Sequence, residues 1–96
     1  MITKEMALEI FAIKLDEMSS IIGVELAIIE VLEEDFGWVF LYQGRTYVES
    51  GDLTGVIIGN APIIIDKADG SIHSTGTAYP VKHYIDEYRQ KRSMTQ

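Results

Sequence analysis

The 96 residues contain no cysteine, which excludes a disulfide scaffold, a thiolate nucleophile and any thiolate metal site. No apolar run approaches the ~20 residues that a membrane-spanning helix requires, so no membrane partner is expected. The opening residues, Met1 to Met6, lack the charged-then-apolar build of a secretory signal, and a cytoplasmic home is the expectation. No Gly-Lys-Ser/Thr follows any glycine, and no dinucleotide fingerprint is present, so no cofactor is expected. Basic residues are missing altogether between Lys14 and Arg45. What remains is 47% apolar and 24% charged, the balance of a folded protein, and a chain this short carries one hydrophobic core. The expectation is one domain over residues 1–96, with an ordered core of about 3–90.

The net charge of −7 is unevenly spread. The base-free stretch holds Asp16, Glu17, Glu25, Glu30, Glu33, Glu34 and Asp35, whereas the last eight residues carry Arg89, Lys91 and Arg92 and no acid. Setting aside the three cations of the tail, the total of −7 leaves −10 for the rest. Such a surface repels phosphate backbones, which argues against nucleic acid and favours a partner with a basic surface. Acidity also serves solubility alone.

Residues 3–20 repeat apolar side chains at Leu8, Phe11, Leu15 and Met18, a helical stripe with Thr3 as N-cap and Gly23 as the stop. Met6, Ile10 and Ile13 fall on another side and need a cover, either a loop of this chain or a second copy in a homodimer. From Val24 to Glu34 the pattern alternates, with a phase slip near Glu30 that a bulge explains. Phe36 to Tyr42 forms the next strand, with Trp38, Phe40 and Tyr42 on one face and Glu33-Glu34-Asp35 at the hairpin end. Thr46 to Glu49 reads as extended. Ile63–Ile65 and Ser71–Ser74 flank a turn ending in Asp69-Gly70, the strongest hairpin signal in the chain. Pro80 opens a last helix with Val81, Tyr84, Ile85 and Tyr88 on its buried face, fraying after Arg92. The order predicts an α+β fold: an N-terminal helix, an antiparallel sheet of about four strands, and a C-terminal helix, with the helices packed on one face.

Catalytic and metal chemistry find little support. Neither His73 nor His83 has a second histidine at i+4, so a hydrogen-bonded or surface role is the reading for both, and no metal site is expected. Asp66 to Gly70 has the look of a calcium loop without its alternating oxygen ligands. Gly51, Gly55 and Gly59 fit positive φ or close backbone passage better than phosphate cradling. Glu33, Glu34 and Asp35 suit a solvated tip able to enter a cationic groove better than a catalytic cluster. Trp38 reads as core packing or, alternatively, as an interface anchor.

Several segments together resemble a known family. They are Phe36-Gly37-Trp38-Val39-Phe40, Glu49-Ser50-Gly51-Asp52, Gly59-Asn60-Ala61-Pro62-Ile63-Ile64-Ile65-Asp66-Lys67, the run from Asp69-Gly70 through His73 to Gly76-Thr77-Ala78-Tyr79-Pro80, and Tyr84-Ile85-Asp86-Glu87-Tyr88. In order and spacing they look like the immunity protein 35 family, also called YrhB-like, over nearly the whole chain. The resemblance implies a small α+β bacterial protein of polymorphic toxin systems. Such a protein binds and neutralises a cognate toxin domain by contact, without being an enzyme. It also brings an alternative, a chaperone-like module that holds apolar clients. The partner-binding candidates are Glu33, Glu34, Asp35, Trp38, Asp52 and Asn60. Gly59, Asn60, Ala61, Pro62, Asp66, Gly70, His73, Gly76, Thr77 and Pro80 form a motif that reads as structural first, since these residue types suit turns and element starts.

Overall fold

A computed structural model of the chain describes residues 1–94. Helix α1 runs Lys4–Ile22, and strands β1 (Leu26–Glu34) and β2 (Gly37–Gly44) form a hairpin. A short helix α2 (Arg45–Ser50) and a 3-10 turn (Leu53–Gly55) follow, then the hairpin of β3 (Ile63–Asp66) and β4 (Ile72–Ser74), and finally helix α3 (Val81–Met94). The four strands pair antiparallel in the order β1-β2-β3-β4, so the fold is α+β as the element pattern predicts.

The local signals act where the sequence places them. Thr3 accepts a hydrogen bond from the Met6 N–H at 3.2 Å, and Gly23 ends α1 at φ 73°. The β1–β2 register slips between Ile28 and Glu30, the expected bulge, so Leu26, Ile28 and Val31 all face α1. In the β3–β4 turn the Gly70 N–H donates to the Asp66 carbonyl, and Asp69 accepts from the Ser71 N–H.

Two expectations are corrected. The helices lie on opposite faces of the sheet: α1 packs Ala7, Phe11 and Leu15 on Trp38, Phe40, Tyr42, Ile63 and Ile65, whereas α3 packs Ile85 on Phe36, Val39 and Ile64. The unbroken apolar runs of β2 and β3 require this, because both faces of the central strands are buried and each needs a cover. Residues 46–49 are helical, not extended. β2 ends where the backbones of Gly44 and Gly55 touch, in a space that no Cβ could share. Beyond it no strand is available to pair with, so the segment closes its own bonds, with the Gly51 N–H donating to the Tyr47 carbonyl. Tertiary context overrides the β propensity of Thr46, Tyr47 and Val48.

The second apolar group of α1 is partly covered from within. Ile10 and Ile2 close over Gly70 in the β3–β4 turn, while Met6 and Ile13 stay exposed. Helix α3 extends to Met94, past Arg92, and begins at Val81, one residue after Pro80.

Candidate partner-binding surfaces

The β1–β2 and β3–β4 turns share one end of the sheet, and α3 lays its cations across it. Arg89 donates to Glu34 at 2.7 Å and to Asp35 at 3.0 Å, and one turn on Arg92 forks onto Asp66 at 2.9 and 3.2 Å. Arg89 is therefore the counter-charge of Glu34 and Asp35 in the acidic hairpin. The Arg89 hydrogen bond holds the Asp35 carboxyl below its usual range. Glu33 is exposed.

Asp66 is the one buried charged residue among those described, at 5% exposure. Besides Arg92 it accepts from the Tyr88 hydroxyl at 2.6 Å and the Ala68 N–H at 2.9 Å. Burial pushes its carboxyl up, but the bonds from Arg92, Tyr88 and Ala68 outweigh burial and hold it at about 2. Burial, reinforced by the bond to Asp66, pushes the Tyr88 hydroxyl well above its ordinary range. Beside this pair a cleft of about 460 Å³ opens between β4 and α3. In it His73 lies 2.7 Å from the Ser71 hydroxyl, with its ring 5.0 Å from that of Tyr88. His73 is a hydrogen-bonded strand residue, and His83 sits on α3 against Tyr79 and Glu87. Among the described residues no three His, Asp or Glu side chains stand together as a metal ligand set. No helix among them is long and apolar enough to cross a membrane.

The opposite end of the sheet is built by the connection from Ser50 to Pro62. Asp52 caps the 3-10 turn, accepting from the Thr54 N–H at 3.0 Å and hydroxyl at 2.8 Å, bonds that hold its carboxyl below its usual range. Gln43 clamps Ile57 through both backbone groups, at 2.6 and 3.2 Å. Asn60 donates to the Tyr42 carbonyl at 2.6 Å, and the Tyr42 hydroxyl donates to the Ala61 carbonyl at 2.8 Å. Pro62 precedes β3, its carbonyl accepting from both the N–H and the hydroxyl of Thr75. Gly76 then lets the Tyr84 hydroxyl approach, where it accepts from the N–H groups of Ala78 and Tyr79 ahead of α3. Thr77 is exposed beside them.

The six residues singled out for partner contact thus do not converge. Trp38 is only 6% exposed and lies in the α1-facing core, so its indole offers no face to a partner. Glu33, Glu34 and Asp35 sit at one end, and Asp52 and Asn60 at the other, their side chains engaged in holding the loop. Sequence reading missed Gln43, Tyr84, Arg89 and Arg92 as organisers. For the arginines a signal existed: their i, i+3 spacing on the last helix, opposite a surplus of acids, is what an internal ion-pair network needs.

These elements in this order, matched over residues 5–91 by the model of the immunity protein 35 family, place the chain: it belongs to that family. It is also similar to the uncharacterized protein YrhB of Escherichia coli strain K12, with 46% identity over 57 residues. That match covers 59% of this chain and 61% of that protein, less than two thirds of its length. No solved structure matches.

Proposed function

We propose that this protein neutralises a cognate bacterial toxin domain by binding it, as a non-enzymatic inhibitor in the cytoplasm of the producing cell. The observation that carries this reading is the family match across residues 5–91, which spans every element from α1 to α3. The charge distribution supports it. A net charge of −7 attracts a basic partner over distances of about a Debye length. Glu33, Glu34 and Asp35 contribute through that field more than through direct contact, since Glu34 and Asp35 already hold Arg89.

The test is association with the toxin domain encoded beside this gene, followed by stopped-flow at several ionic strengths. The wild-type rate should fall as salt rises. The combined change Glu33→Gln, Glu34→Gln, Asp35→Asn should slow association about three- to tenfold at low salt and flatten the salt dependence. The fold should survive, because exposed ion pairs contribute only about 0–1 kcal/mol each. An unchanged rate with binding intact would remove the hairpin end from the recognition field.

A further inference from the structure

The end of the sheet remote from the acidic hairpin carries an apolar cleft at the edge of the α1-facing core. Met18, Ile22, Val24, Tyr42, Ile57 and Ile58 line it, around a volume of about 340 Å³. Of the lining residues Ile58 is 98% exposed, Ile22 48% and Val24 36%. Ile58 is not left outside by a loose loop. Gln43 grips both backbone groups of Ile57, Asn60 and Tyr42 tie the residues that follow, and Ile58 is thereby held outward between fixed points. An isolated exposed isoleucine needs no explanation, whereas an exposed cluster framing a cleft on a tethered loop does.

The charges in the same stretch of chain decide what fits. Between residues 15 and 62 the single cation is Arg45, and it is bonded to Glu25 at 2.8 Å. Glu17 and Glu25, next in the chain to the lining residues Met18 and Val24, are both exposed. A second copy of this chain would set acid against acid, whereas a surface with a protruding apolar side chain ringed by lysine or arginine is complementary in both shape and charge. The geometry points to this cleft as the anchor for the toxin domain: a partner apolar side chain enters between Ile22 and Ile58, and a basic rim meets Glu17 and Glu25. This rests on the immunity reading above and deepens it. The steering field and the contact surface are then separate parts of the molecule, with the hairpin end contributing to encounter and the loop end to residence time.

The experiment measures affinity for a catalytically inactive form of the toxin domain encoded beside the gene, by titration calorimetry. It compares the wild type with Ile58→Asp, Ile22→Asp and the control Ile13→Asp, an exposed α1 position outside the cleft. Ile58 is almost fully exposed, so its replacement leaves the fold intact, which far-ultraviolet circular dichroism checks. Ile58→Asp and Ile22→Asp should each weaken binding about 30-fold or more, with Ile13→Asp within about twofold of wild type. Binding of both cleft variants within about threefold of wild type would overturn the inference while leaving the immunity reading standing. So would a wild-type dimer that Ile58→Asp dissociates with toxin affinity unchanged. No binding by the folded wild type would overturn the immunity reading and this inference with it.

Discussion

Replacing Phe11 by alanine is expected to lower stability by about 4 kcal/mol, the cost of a large cavity at a site that cannot collapse. Phe11 is fully buried and stacks on Phe40 with ring centroids 4.3 Å apart and planes 13° from parallel, while Tyr42 meets it at 6.0 Å. Its neighbours on α1, Ala7 and Leu15, are themselves anchored on the same face, so no side chain is free to fill the space. A domain of this size commonly holds only about 5–15 kcal/mol in total, so the variant should sit near the edge of folding. Urea unfolding followed by the fluorescence of Trp38, the lone tryptophan and a buried one, reads the change directly. A loss below about 1.5 kcal/mol would mean that the α1 contact is far softer than its packing indicates.

The second large effect lies on the other face. Removing Arg92 as Arg92→Ala leaves the buried Asp66 carboxylate without its main counter-charge and should cost about 3 kcal/mol at neutral pH. Tyr88→Phe, which deletes one hydrogen bond to a charged group, should cost about 2 kcal/mol. The pH dependence follows from the same site. Asp66 is held at about 2, below its unfolded value near 3.9, so the folded state binds its proton less readily. The contribution is therefore fully present above about pH 4 and is lost as pH falls through about 2, amounting to about 2 kcal/mol. Acid titration should show this step in the wild type. In Asp66→Asn it should vanish, and in Arg92→Ala the acid transition should move to higher pH. An unaltered acid limb in Asp66→Asn would place the stabilising carboxylate elsewhere.

Helix α3 depends on this chemistry because it buries little else. Ile85 is its one buried residue, with Val81 and Tyr88 partly so, and the exposed pairs Lys82–Asp86 and Glu87–Lys91 add only a few tenths of a kcal/mol each. Arg92, through its fork onto the buried Asp66, supplies what the helix's short apolar stripe lacks.

Periodicity made α1, the β1–β2 hairpin with its bulge, the Asp69-Gly70 turn and α3 legible, because each is fixed by residues within a few positions of one another. The placement of the helices was not legible from their own stripes. It follows from β3, where Ile63, Ile64 and Ile65 run unbroken and demand cover on both faces. The six-residue helix α2 was hidden because its β propensity is real, and only the crossing of Gly44 by Gly55 denies it a strand partner. The candidate surface was legible in composition but not in arrangement. Charge counting found Glu33, Glu34 and Asp35, yet it could not show that Arg89, more than fifty positions away, already engages two of them. Asp52 and Asn60 belong to one loop and hold it through hydrogen bonds, while Ile58 within it faces outward.

Co-expression with each candidate toxin domain encoded in the neighbouring reading frames, in a host sensitive to it, tests the central claim most directly. Survival of cells carrying both chains, with the two co-purifying as a stable complex, is the predicted result. Death of the host with every candidate despite abundant folded protein, with no complex recovered, would contradict it.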